Sequence, residues 1–130
     1  MKFKRYMAIA VPFAVWLYGC SYDIPIYITN HSGQALRDVT VSGSSFQRHV
    51  ALIPAGETAT VYVDPKGESG AAVAFNMGQK RFSYAKDGYF ESDDWEVVIV
   101  VDAAGRASVE GYLAGIFPQI FGRWHWAKPA

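Results

Sequence analysis

Three histidines, one cysteine and a run of acidic side chains are the residues of this chain best suited to chemistry. His31, His49 and His125 are scattered along the sequence with no second cysteine to help, so their spacing matches no zinc signature. The stretch Lys86-Asp87-Gly88-Tyr89-Phe90-Glu91-Ser92-Asp93-Asp94 gathers acidic oxygens. Calcium takes about six to eight oxygen ligands, and loops can supply them, but the EF-hand spacing is absent. The stretch reads as a solvated acidic loop. A nucleophile elbow would need Gly-x-Ser-x-Gly, and Gly67-Glu68-Ser69-Gly70 misses it by one position. No glycine-rich phosphate loop is present, and Asn30-His31-Ser32, which formally matches a glycosylation acceptor, reads as a turn. The expectation is a protein without catalytic residues, metal ligands or a bound cofactor.

Cys20 is different. It stands alone in the chain, so no intramolecular disulfide can form and its thiol needs another account. Upstream of it Met1-Lys2-Phe3-Lys4-Arg5 carries three positive charges, followed by an uncharged run from Tyr6 to Gly19. A charged start and a short apolar run are the first two regions of a secretory signal. The run contains Pro12 and falls short of the roughly twenty apolar residues of a spanning helix, which makes a permanent transmembrane helix the weaker reading. A buried apolar thiol is the plain alternative for Cys20.

The run ends in Leu17-Tyr18-Gly19-Cys20. This resembles the lipobox of bacterial lipoproteins: an aliphatic residue at −3, a small residue at −1, then the cysteine. Tyr18 departs from the small residue usual at its position. The resemblance implies that residues 1–19 are removed, that Cys20 receives a diacylglyceryl group on sulfur, and that its freed amine is acylated. It also implies that Ser21, where aspartate would mean inner-membrane retention, directs the protein to the outer membrane. One acyl chain holds a protein only marginally, whereas two or three on one cysteine hold it firmly. The expected address is the bacterial cell envelope, with the membrane reached through this lipid.

Without residues 1–19 the chain carries nine basic against twelve acidic residues, a net charge of −3. That balance excludes the basic stripe of a nucleic-acid binder. The length allows one domain, and 51% apolar against 18% charged residues is a globular composition.

The elements follow from alternation and turn residues. Ile24, Ile26 and Ile28 alternate with Pro25, Tyr27 and Thr29, the period of a half-buried strand, with Pro25 marking an edge position or a strand start. Asn30-His31-Ser32-Gly33 is a turn. Leu36 to Ser42, Phe46 to Ile53 and Thr58 to Val63 are further strands, separated by Gly43-Ser44-Ser45 and Pro54-Ala55-Gly56. Asp64 to Gly70 is the clearest loop, because proline presets one turn dihedral and glycine supplies positive φ. Ala71, Val73, Phe75 and Met77 share a face, and a tight hairpin at Asn76–Gln79 leads into Lys80–Ala85. Trp95 to Val101 is apolar on both faces, as a central strand would be, and Arg106–Glu110 follows a turn. Eight short strands at regular spacing predict an all-β fold, an antiparallel sandwich of about seven to eight strands, with a small barrel as runner-up. The stretch Asn30-His31-Ser32-Gly33…Leu36…Val39-Thr40-Val41, followed by Pro54-Ala55-Gly56-Glu57, resembles the opening of small immunoglobulin-like or transthyretin-like domains of bacterial envelopes. That resemblance carries over no functional residue.

The expected organisation is therefore a signal peptide at 1–19, a lipidated N-terminus and short linker at 20–23, a sandwich at 24–112 and an aromatic tail at 113–130. The short linker holds the domain close to the bilayer. In the tail, Phe117, Phe121, Arg123, Trp124 and Trp126 either complete the core or form an exposed surface for a partner or the membrane interface. Arg and Trp are enriched among binding hot spots. The expected function is a non-enzymatic interaction or structural module of the envelope with a protein partner. The alternatives are a lipoprotein binding a small apolar ligand, an immunity or inhibitor protein, and a hydrolase if Ser, His and acid side chains meet.

Overall fold

The computed structural model describes residues 23–91 and 95–113. They form eight strands: β1 (Ile24–Asn30), β2 (Leu36–Gly43), β3 (Phe46–Ile53), β4 (Thr58–Val63), β5 (Ser69–Met77), β6 (Lys80–Phe90), β7 (Trp95–Val101) and β8 (Ala107–Leu113). Two four-stranded sheets pack face to face. Sheet A has the order β4-β1-β7-β8 and sheet B the order β3-β2-β5-β6. The all-β sandwich expected from the alternation is the fold found. One pairing is parallel rather than antiparallel: β1 lies beside β7, with Ile26 opposite Val97 and Ile28 opposite Ile99.

The alternating residues fill the space between the sheets. Ile24, Ile26 and Ile28 of β1 share one buried cluster with Val97, Ile99 and Val101 of β7 and with Val39, Val41, Val73, Phe75 and Phe90 of the facing sheet. Full burial of each such side chain contributes about 1.5–3 kcal/mol. Pro25 proves to mark a strand start and not an edge, since β1 is interior to sheet A. β7 is interior too, as its two apolar faces require.

Two boundaries differ from the sequence reading. β5 begins at Ser69, inside the expected loop, and β6 runs on to Phe90, absorbing Lys86–Phe90 of the expected acidic loop. The β5–β6 register shifts twice, between Ser69 and Ala71 and between Ala71 and Val73, and Gly88 takes a positive φ of 75°. These irregularities break the local alternation while carrying Phe90 into the core, where its side chain is fully buried.

The edges of the two sheets protect each other. Arg48 Nε on β3 donates to the Tyr62 carbonyl of β4 at 3.0 Å. On the other side β6 passes so close to β8 that a Cβ on Gly111 would sit on the Tyr89 carbonyl oxygen. Neither contact is a continuous ladder, so the molecule is a sandwich with shielded edges and not a closed barrel.

Tyr84 locks the sheets together at one end. Its ring stacks on Phe75, its hydroxyl donates to the Gly105 carbonyl at 2.5 Å, and Gly105 lies flat against the Phe82 ring. Burial pushes the Tyr84 hydroxyl above the ordinary tyrosine value, Asp102 adds to the rise, and Arg106 opposes it. The neutral hydroxyl is thus the form the folded chain favours. Its contribution is complete below about pH 10, the unfolded tyrosine value, and is lost as pH climbs through the raised value. Tyr84→Phe should cost about 1 kcal/mol at neutral pH. It should also flatten the loss of stability between neutral and strongly alkaline pH, as followed by urea unfolding at a series of pH values.

Candidate functional site

Register alone brings both ends of the described chain to one end of the sandwich. β1 starts at Ile24, opposite Val63 at the end of β4, and β8 finishes at Leu113, opposite Trp95 at the start of β7. Pro25 sits one step before the pair Ile26–Val97, so the β1 start and the β8 end lie in neighbouring rows. The Ser44–Ser45 turn and the Asp64–Glu68 loop are at this end as well. Ser44 N donates to Ser69 Oγ at 3.0 Å and Ser44 Oγ to the Glu68 carbonyl at 3.1 Å.

Large apolar side chains collect there. Tyr62, Tyr89 and Leu113 are 53%, 44% and 48% exposed, and Trp95, half-buried, meets Tyr89 edge-on with ring centroids 5.4 Å apart. Partial burial raises the Tyr89 hydroxyl pKa, and hydrogen bonding and charge from Glu91 and Glu68 add to it. The hydroxyl therefore stays protonated at physiological pH. Tyrosine and tryptophan of this kind, apolar in body and polar at the tip, suit a boundary between water and an apolar phase.

The opposite end is polar and tightly tied. Asn30, fully buried, donates from Nδ2 to the carbonyls of Gln34 (2.6 Å) and Ile53 (2.9 Å) and accepts at Oδ1 from Ser32 N (3.0 Å) and Ser32 Oγ (2.6 Å). The sequence reading of Asn30-His31-Ser32 as a turn holds, but it missed the burial of Asn30. The visible signal was an Asn directly after a strand with Ser two residues on, the arrangement of an Asx turn. Asp102 organises the neighbouring turn, accepting from Ala104 N, Arg106 N and Arg106 Nε, each at 2.9 Å.

On the outward face of sheet B, Thr40, Ser42, Ala72, Ala74 and Ser83 leave an open depression. Its cavity volume of about 100 Å³ falls well below the roughly 300–1,000 Å³ of ordinary ligand pockets. Beside it Asp38, at a positive φ of 48° in a β-bulge, faces His49 Nε2 at 3.7 Å, and Arg81 Nη1 donates to the Asp38 carbonyl at 3.0 Å.

The residues singled out from the sequence divide as follows. Cys20, Phe117, Phe121, Arg123, Trp124, Trp126 and His125 lie outside the described residues. His31 is exposed at the turn after β1, and His49 pairs with Asp38. Among the described residues no group of three or more His, Cys, Asp or Glu is placed to hold a metal ion, and no helix is long and apolar enough to cross a membrane. The hydroxyls of Ser32, Ser44 and Ser69 are engaged with Asn30 and with backbone groups, not with histidine.

No family model matches the chain, and no curated protein matches it. Among solved structures it is similar to the NMR structure of a protein from Eubacterium rectale, at 14% identity and a TM-score of 0.50, over 70% of this chain and 87% of that one. At that identity the likeness extends to the fold alone.

Proposed function

We propose that the protein is a lipid-anchored module of the bacterial cell envelope that acts by interaction or support and not by catalysis. The observation that carries the reading is the position of Ile24. A core strand begins four residues after Cys20, in the interior of sheet A. Lipid on Cys20 would therefore set the terminal end of the sandwich directly on the bilayer, most readily the outer membrane. Tyr62, Tyr89, Trp95 and Leu113 then lie at the height of the interface, where aromatic side chains are favoured. The net charge of −3 gives no electrostatic attraction to anionic lipid, so the acyl chains carry the attachment. The turns at 31–35, 54–57, 78–79 and 102–106 point away from the membrane and are the surface left for an envelope protein partner.

Cys20→Ser tests this. The wild-type protein should incorporate labelled palmitate and sediment with membranes, and the variant should do neither. A variant that remains acylated and membrane-bound would exclude the anchor.

A further inference from the structure

β6 passes through a bulge just before it reaches the core. Phe90 pairs with Ser69 and Asp87 with Ala71, so Gly70 alone faces both Gly88 and Tyr89. Gly88, at a positive φ of 75°, has no register partner on β5, and its N–H donates to the carboxylate of its own neighbour, Asp87 Oδ1, at 2.9 Å. Asp87 Cγ is bonded to that oxygen. A nitrogen and the carboxyl carbon it would attack to close a five-membered ring are therefore held side by side. Both residues are half-buried, within reach of water. Asp87 is also the one aspartate of the sequence followed by glycine, which brings no side chain to hinder the attack and turns freely to make it. Comparable positions lack one feature or another. Asp64 precedes a proline, which has no N–H, and Asp38 precedes the branched Val39. Asp102 Oδ1 accepts from Ala104 N and Arg106 N, not from the adjacent Ala103 N. His31 N, the nitrogen that would attack Asn30, donates to the Val101 carbonyl at 2.8 Å.

We propose that Asp87–Gly88 is a site of spontaneous covalent modification, at which the folded chain isomerises aspartate to isoaspartate. Gly88 N bonds to Asp87 Cγ. One carboxyl oxygen leaves as water, taking the amide hydrogen and a proton from solvent, and a cyclic succinimide remains. Water then adds at the former peptide carbonyl carbon of Asp87, and the bond from that carbon to Gly88 N breaks. The chain now runs through Cγ, and the old peptide carbonyl has become a free carboxylate. Opening of the ring at Cγ instead restores aspartate. Nothing is oxidised or reduced, and water is the one co-reactant. The backbone gains an atom where the packing is closest. A Cβ on Gly70 would lie 2.8 Å from the Asp87 carbonyl oxygen, and one on Gly88 3.0 Å from the Val109 carbonyl oxygen. Conversion thus disturbs the bulge that carries Phe90 into the core, and marks the age of the folded molecule. The inference does not depend on lipidation.

Ageing the full-length protein at neutral pH and physiological temperature tests it. Isoaspartate is located by electron-transfer fragmentation of digests and counted with an isoaspartyl methyltransferase and a labelled methyl donor. Position 87 of the folded chain should convert within about tenfold of its rate in the same chain unfolded in urea, because a half-buried bulge opens locally at little cost. Conversion that had to wait for global unfolding would be about a thousandfold slower or more, the fraction of a stable protein that is unfolded at any moment. A folded-state rate more than about tenfold below the unfolded one overturns the proposal, because the bulge then protects the site. Conversion of Asp38 or Asp102 as fast as that of Asp87 overturns it too. Asp87→Glu, which would have to close a six-membered ring, should abolish the methyl incorporation assigned to position 87 and leave the circular dichroism unchanged. Undiminished incorporation at that position is equally decisive against the proposal. If that variant does not fold, the site-resolved rates of the unaltered chain decide alone.

Discussion

Replacing Asn30 by aspartate should destabilise the protein by more than about 3 kcal/mol at pH 8, a large fraction of the stability of a domain this size. The change alters hardly any volume. It removes the amide that donates to the carbonyls of Gln34 and Ile53 and puts an oxygen acceptor in its place, 2.6 and 2.9 Å from two other acceptors. The site is fully buried, so the carboxylate is not solvated and its pKa must rise in the folded state. Protonation restores one donor. The folded state thus binds a proton more tightly than the unfolded state, and the destabilisation should shrink as pH falls from 8 toward 5. Asn30→Ala should cost about 2–4 kcal/mol with no such pH dependence, because it strips partners from Ser32 and two carbonyls without adding charge. Denaturant midpoints of the three proteins at pH 5 and pH 8 check both statements. A pH-independent loss for the aspartate variant would show that the site is wetter than its burial implies.

Gly111→Ala should be comparably damaging although it adds a single methyl group to a strand. The new Cβ would fall on the carbonyl oxygen of Tyr89, 2.8 Å from its carbonyl carbon and 3.3 Å from the Phe90 Cβ. The obstacle is backbone, which cannot swing aside as a flexible side chain can. Either β6 or β8 must move, and Phe90, which β6 holds in the core, moves with it. Overpacking at such a site typically costs about 1–3 kcal/mol and more where backbone has to shift. Gly33→Ala gives a useful contrast: its Cβ would meet nothing within 4 Å, so only the positive φ of 81° opposes it. Thermal unfolding should place the Gly111 variant well below the Gly33 variant. Near-identical midpoints would mean that the close approach of β6 to β8 is not maintained in solution.

What could be read in the sequence was whatever the chain encodes locally. Ile24, Ile26 and Ile28 declare a strand with one buried face, and Ala71, Val73, Phe75 and Met77 do the same, because side-chain direction repeats every two residues. The Gly78–Gln79 hairpin was legible for a similar reason, since a two-residue connection favours glycine with positive φ at its first position. Pairings between distant strands were not legible. Nothing in Ile24–Asn30 says that it lies between residues 58–63 and 95–101, or that its second neighbour runs parallel. The extension of β6 through Lys86–Phe90 escaped notice because two register shifts destroy the alternation that would have revealed it. The terminal end with Tyr62, Tyr89, Trp95 and Leu113 is a product of topology, drawn from four strands between residues 58 and 113. Cys20 is the reverse case. Its resemblance to a lipobox is wholly local, and the residue lies outside those the structure describes.

The parallel ladder of β1 with β7 also imposes an order in time. Ile26 pairs with Val97, 71 positions further on, so the first strand to be synthesised waits for nearly the last before its place in sheet A is complete. Until then β1 can pair only with β4, and a lone two-stranded ribbon is marginal in water. Long-range pairing of this kind slows folding, because the intervening chain must be closed before the contacts reward it. Sheet B, whose four strands are all made before β7, can form first, and sheet A closes only once β7 and β8 are available. The same strand order that gives the finished domain its core leaves sheet A of the unfinished one incomplete.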